Sequence, residues 1–363
     1  MKRLTIDPNN NCKVYKLDAR GARPKFWFSF KDDIESGNFE QWLFKNTNRS
    51  ETTVESSKTF EDIGEVIFYK ICKKLGVDCV EYKLATHQNG DKSVEGVICK
   101  NYNPDDCVEL AGYSILEAYR RFIYDNFNGL DVPNDNTLEN YKKSLNCIML
   151  NHTQFEKDQG INILVNIRKL YNQMAKMMIL DYICCQSDRN WYNLSFLIDS
   201  KTRELRMAPL FDNGNIFSWN FRKSVIEHQN IVLSKDPTYE RYLELYQSKS
   251  IAMGIKTPVS HRDMKNPTKS NNLKFKDIPM DLLENELASV IANDKELQQF
   301  LQNCQNINLY LQEAFDEFKD EYEEDCSLLK NQSSLIASIK SEHLLELVNK
   351  KIQEMEEEDE NTI

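Results

Sequence analysis

The chain has no Cys-x-x-Cys pair, no long apolar run and no excess of positive charge. Each absence removes a class of function. The 10 cysteines are dispersed apart from the adjacent Cys184-Cys185, which neither bridges readily nor suggests zinc, so free thiols of a cytosolic protein are expected. The five histidines (His87, His152, His228, His261 and His343) show no metal-ligand spacing. No stretch approaches the ~20 apolar residues of a membrane-spanning helix, and residues 1–8 hold no apolar leader core. A cytoplasmic location without membrane attachment is therefore expected, with secretion into a host cytosol as the alternative. A net charge of −11 argues against nucleic acid as a direct partner. Glycine (11) and proline (9) are few, and with the many Asn and Lys they hint at an AT-rich bacterial genome.

What is present suits a globular chain of two parts. Its 363 residues exceed one compact core, and 40% hydrophobic with 28% charged residues is ordinary for such proteins. The first hundred residues read as strands with one helix: Lys13–Leu17, Phe26–Phe30 and Gln41–Lys45 as strands, then a Ser/Thr-rich loop to Thr59. Ile63, Val66, Ile67, Ile71 and Leu75 recur at helical spacing, predicting a helix over 61–75 stopped by Gly76. A hairpin over Cys79–Ala85 and Ser93–Lys100 turns at Asn89-Gly90. Asn103-Pro104 marks the boundary between an N-lobe (1–103) and a helical C-lobe (104–363). In the latter, helices are expected over Ala111–Phe127, Asn162–Cys185 and from Asp281 onward. A short hairpin (Leu194–Ile198, Leu205–Pro209), an extended polar loop with short helical turns (Lys235–Asn272) and a frayed, solvated acidic tail (Glu354–Glu360) complete the expectation.

The densest chemistry lies between Asp188 and Gly214. Asp188 and Asn193 follow the long helix, and the next hairpin ends at Phe211-Asp212-Asn213-Gly214. An Asp-x4-Asn match alone is expected roughly once in a chain of this composition, and Asp-Asn-Gly favours a turn whatever its function. The order of helix, Asp-x4-Asn, hairpin and Asp-x-Gly is what a phosphoryl-transfer centre needs. The first Asp orients the attacking hydroxyl, and the Asn and second Asp hold magnesium. Lys45, ending a strand, can reach nucleotide phosphates, and Glu65 on the following helix can hold it; alone, each reads equally as a surface residue. Gly21-Ala22-Arg23-Pro24-Lys25 is a turn that could lay N–H groups over phosphates, or a plain hairpin turn. The strand end Ile98-Cys99-Lys100 lies where backbone groups would read adenine.

These residues resemble the HipA-like serine/threonine kinases, in the compact form lacking an extra N-terminal domain. The likeness runs through Gly21-Ala22-Arg23-Pro24-Lys25, Phe44-Lys45, Glu65, Leu75-Gly76-Val77, Tyr82–Ala85, Ser187–Leu194 and Ala208–Gly214, and covers about residues 13–220. It implies an α+β, two-lobed protein-kinase-like fold that uses ATP and magnesium. Asp188 would be the catalytic base, Asn193 and Asp212 the metal ligands and Lys45 the phosphate lysine partnered by Glu65. Gly21, Ala22, Arg23, Lys25, Cys99 and Lys100 would line the nucleotide. The expected partner is a protein with a Ser or Thr acceptor, with an antitoxin-like regulator left open. Two departures stand out: Asn190 where the family has His, and Asp18 where regulated members carry an autophosphorylated serine. Autophosphorylation would then fall on the Ser/Thr-rich loop. A nucleotide-binding scaffold, or a kinase for a lipid or small-molecule hydroxyl, are the alternative readings.

Overall fold

The computed structural model describes residues 3–15, 25–47, 59–112, 114–115, 164–186, 189, 191–217, 219, 223–252, 280–318 and 323–360. Much of the helix expected over Ala111–Phe127, most of the Ser/Thr-rich loop, and the Gly21, Ala22, Arg23, Asp18, Asp188 and Asn190 expectations lie outside them.

A six-stranded sheet forms the first part, in the order β1 (Leu4–Ile6), β5 (Tyr82–Asn89), β6 (Lys92–Lys100), β4 (Trp42–Asn46), β3 (Lys25–Phe30), β2 (Cys12–Val14). Every neighbouring pair is antiparallel except β1 with β5. Side chains alternate between faces, and directly paired residues share one. The register sets Lys25 opposite Lys45, Lys45 opposite Val97, Val97 opposite Leu84, and Cys99 between Leu43 and Tyr82. One face thus carries Lys25, Lys45, Cys99 and Tyr82. The other buries Phe26, Phe28, Trp42, Phe44, Ala85 and Ile98 with Ile6 and Cys12 in a separate small core.

Helix α2 (Glu61–Leu75) covers the lysine-bearing face and follows the short α1 (Lys31–Glu35) in the chain. It has the span its periodicity predicts, and Gly76 ends it in the left-handed region at φ 68°. Its first two turns are buried on all sides: the segment after β10 (Glu204–Met207) closes on them, the Phe60 N–H bonding the Trp219 carbonyl at 2.9 Å, and α8 (Ile307–Asp316) packs along the helix toward Lys74.

A second, four-stranded sheet orders as β7 (Cys107–Ala111), β9 (Ser195–Asp199), β10 (Glu204–Met207), β8 (Leu164–Val165). Ala111 therefore ends a strand rather than opening a helix. The helix expected from Asn162 begins later: β8 pairs with β10, and the Asn166 side chain accepts from the Lys169 N–H at 3.0 Å to cap α3 (Ile167–Ile183).

Beyond the second sheet lie α4 (Lys223–Lys235), α5 (Tyr239–Ala252), α6 (Met280–Ala292), α7 (Lys295–Cys304), α8 and α9 (Glu323–Glu360). Helix α5 replaces the first half of the expected polar loop. Tyr242 and Leu245 bury against its neighbours, and the Thr238 hydroxyl accepts from the Arg241 N–H. The acidic tail is the solvated end of α9, helical to Glu360 rather than frayed. One continuous core joins α2, α3 and the C-terminal helices through residues such as Ile67, Phe68, Met178, Phe196, Leu287, Phe315 and Leu344. Each fully buried side chain of this size contributes roughly 1.5–3 kcal/mol.

Candidate active site

Lys45 is 4% exposed, and its ammonium is shared between two carboxylates, Glu65 of α2 and Asp212 of the loop after β10. Burial pulls the lysine pKa down, but Asp212 and Glu65 outweigh it and leave it above the ordinary value, so the group is a fixed cation. Glu65 is fully buried and uses both oxygens: Oε1 takes Lys45 and Oε2 accepts the Asn213 backbone N–H at 2.7 Å. The helix and the loop are thereby bonded through one carboxylate.

They also touch backbone to backbone. A Cβ on Gly64 would meet the Gly214 carbonyl oxygen at 2.5 Å, and one on Gly214 would meet the Glu61 carbonyl oxygen at 2.7 Å. This close approach requires glycine at both positions, which is a further use for the glycine of the Asp-Asn-Gly turn.

Asp212 has φ 58°, a left-handed conformation that non-glycine residues adopt sparingly and that clusters at functional sites. Several groups hold it there. Its N–H donates to the Tyr82 hydroxyl at 3.4 Å, and its carbonyl accepts from Gln186 Nε2 at 3.3 Å. Burial, with Glu65, Cys99 and Asp212 nearby, pushes the Tyr82 phenol well above its usual range, so it stays protonated. Phe211 stacks on Tyr102 with centroids 5.4 Å apart. Upstream, the Leu210 N–H bonds the Asp78 carbonyl and its carbonyl accepts from the Val80 N–H, both at 2.9 Å, tying the loop to the segment after α2.

Asn193 closes a 3₁₀ turn (Trp191–Asn193) and is 8% exposed. Gly112 lies against this turn, its N–H donating to the Leu194 carbonyl at 2.9 Å. Arg189 is fully buried and bonds Asp181 of α3 in a two-pronged pair at 2.8 and 3.0 Å. It also donates to the carbonyls of Asn193 and Phe211 and to Asn213 Oδ1.

The remaining expected residues divide between this centre and the far face of the sheet, where Lys100 pairs in register with Trp42. Lys25 stands beside Lys45 across the β3–β4 ladder. Cys99 lies inside the sheet, and burial first, then Glu65, pushes its thiol up to about 12. The Lys100 ammonium pairs with Glu40 at 2.7 Å. Arg189, Tyr82 and Asn213 lie in segments that carry the sequence resemblance but have no role assigned to them there, and Gln186 has no sequence signal. The one available signal was Asp181, a lone carboxylate inside the apolar stretch Met177–Ile183, which demands a buried cation.

The oxygen donors of Asn193 and Asp212 are hard ligands of the kind magnesium prefers. Among the described residues no group of three or more His, Cys, Asp or Glu is arranged for a metal. Two such donors would suit magnesium, which ordinarily keeps waters and phosphate oxygens in its shell.

No protein-family model and no curated protein matches the chain. Among solved structures it is similar to the proinflammatory kinase CtkA of Helicobacter pylori, with a TM-score of 0.54 and 17% identity over 94% of this chain and 98% of that one. A weaker likeness is to HipA in the HipA, HipB and operator DNA complex of Shewanella oneidensis MR-1. Its TM-score is 0.46 and its identity 11%, over 93% of this chain and 67% of that one. The likeness to CtkA is one of fold: the chain has a mixed α+β, kinase-like fold with a β-rich N-terminal part and a helical C-terminal part.

Proposed function

We propose that this protein is an ATP- and magnesium-dependent kinase that transfers the γ-phosphoryl group to a Ser or Thr hydroxyl of a protein. The observation that carries the reading is the buried Lys45 held jointly by Glu65 and Asp212. A desolvated ammonium between a helix carboxylate and a strained loop carboxylate is costly to build for stability alone. It suits a site where a phosphate later takes one side of the cation.

In this reading Lys45 binds phosphate oxygens as a point charge while Glu65 keeps it aimed. Lys25 adds a second positive group on the same face, and the strand end at Cys99 and Lys100 offers backbone to adenine. Asn193 and Asp212 would hold magnesium, which when bound supplies charge neutralisation on the phosphates. Asp188 would orient the acceptor hydroxyl and receive its proton. Asp212 must exchange part of its contact with Lys45 for the metal. Little covalent chemistry falls to the protein; positioning and charge do most of the catalysis. The Thr47–Thr59 loop supplies candidate autophosphorylation sites, and a cytosol is where ATP and such substrates meet.

Incubation with γ-labelled ATP and magnesium, alone and with a generic protein acceptor, tests this. Label transfer by the wild type, abolished in Asp188→Ala and in Asp212→Ala, is expected. Retained transfer in both purified variants would sink the site assignment.

A further inference from the structure

Arg189 does more than neutralise a buried carboxylate. Its Nε and Nη2 donate to the two oxygens of Asp181 at 2.8 and 3.0 Å, anchoring the guanidinium to the rigid helix α3. Its remaining capacity goes to two loops. Nη1 donates to the Asn193 carbonyl at 3.3 Å and to the Phe211 carbonyl at 3.1 Å. Nη2 also donates to Asn213 Oδ1 at 2.6 Å. The residues flanking Asp212 on both sides, and the backbone of Asn193, therefore hang on one planar cation.

We propose that Arg189 is a positioning residue that sets the spacing of Asn193 and Asp212 for magnesium-nucleotide, with Asp181 as its anchor and Asn213 as its handle on the metal loop. The proposal rests on the phosphoryl-transfer reading above. Three physical points support it. Magnesium demands near-ideal octahedral geometry, so its ligands must be fixed in relative position. The left-handed Asp212 cannot hold itself and needs the surrounding bonds to fix it. A fully desolvated ion pair is a poor way to gain stability compared with apolar packing, whereas a planar fork bonds two loops and a helix in fixed directions. Lysine, a point charge with three donors on a flexible stem, cannot reproduce that geometry.

The test uses the full chain as Arg189→Lys and Asn213→Ala beside wild type. Near-ultraviolet circular dichroism and thermal melting report the fold. A fluorescent ATP analogue is titrated in EDTA, then in increasing magnesium. Groups that orient metal ligands are typically worth about 10–100-fold in metal affinity. Arg189→Lys is therefore expected to raise the magnesium needed for half-maximal binding by about tenfold or more. Nucleotide affinity in EDTA should stay close to wild type, since Lys45 is untouched. A purely structural role would move both readings together, or neither. A folded Arg189→Lys protein with the wild-type magnesium response overturns the proposal. Should that variant fail to fold, Asn213→Ala decides, because it leaves the Arg189–Asp181 pair in place and removes the handle on the metal loop together with the weak Asn213 Nδ2 contact to Cys79 Sγ at 3.6 Å; a wild-type magnesium response there overturns the proposal equally. Wild-type protein that binds the nucleotide with no magnesium dependence removes the phosphoryl-transfer reading itself, and this inference with it.

Discussion

The two oxygens of Glu65 serve different masters: one holds the Lys45 ammonium, the other accepts the backbone N–H of Asn213 at 2.7 Å. Glu65→Gln keeps the shape and removes the charge, so its effects should separate from those of a cavity. Lys45 retains Asp212, so the stability loss should lie at or below the low end of the ~3–5 kcal/mol for breaking a buried pair. Phosphoryl transfer should fall much further, by roughly 100-fold, because misplacement by an ångström costs that much. Urea denaturation and initial rates measured on one preparation check both halves.

Gly214→Ala places a methyl group where the Glu61 carbonyl oxygen stands 2.7 Å away. Helix α2 or the loop after β10 must move, at a cost of about 1–3 kcal/mol. Activity should drop with nucleotide affinity, since Lys45 and Asp212 are carried by the two parts that separate. Gly76→Ala is the control. Nothing lies within 4 Å of its Cβ, so the added cost is the left-handed backbone alone, about 1 kcal/mol, with rates unchanged in the folded protein. Equal rate losses in the two variants would contradict the assignment of Gly214 to the site.

Gln332 of α9 satisfies three buried partners at once. It accepts from Trp219 Nε1 at 3.0 Å and donates to the Phe217 carbonyl at 2.7 Å and to Gln229 Oε1 at 2.8 Å. Gln332→Leu leaves those groups desolvated and should cost on the order of 3 kcal/mol. The loss should appear in the denaturant midpoint, with the magnesium dependence of the folded fraction unaltered.

Acid stability has an identifiable group. Burial pushes the Glu284 carboxyl up, but donors from His343, Tyr239 and Tyr182 outweigh it and hold the pKa below its usual 4.5. A depressed carboxylate stabilises the fold above its unfolded value, and the contribution is lost as pH falls through the folded one. Melting temperature should therefore hold from pH 7 to about 5 and decline below 4.5. Glu284→Gln should be less stable at pH 7 by about 1–3 kcal/mol, with the gap to wild type narrowing as pH falls below 4.5. A constant gap across that range would assign the acid transition elsewhere.

The parts of the fold visible in the sequence are those with local signatures. Helix α2 shows its apolar spacing and its glycine stop, and the β5–β6 hairpin shows Asn89-Gly90. Lys45 and Glu65 can be paired because a strand end and the second turn of the next helix bring 20 positions of chain back onto themselves. Strands β1, β7 and β8 were missed because they span only 3, 5 and 2 residues and owe their conformation to the strands they pair with. Helix α5 takes three of its apolar positions from tyrosine among charged neighbours, so it reads as polar until Tyr242 and Leu245 have something to pack against. Arg189 was illegible for another reason: its partners lie 4, 8, 22 and 24 positions away on three elements. Only the folded backbone makes them neighbours.

Helix α9 runs 38 residues, about 57 Å, and packs on α3, α4, α5, α6, α7 and α8. Loosening any one of these exposes a surface shared with the rest, so the helical part should melt as a single cooperative block. The outer face of the six-stranded sheet is different. Its small core around Phe28 and Phe44 is separate from the large one. Hydrogen exchange should find two tiers of protection, with β1, β2 and β3 opening well before the helices that carry the rest of the site.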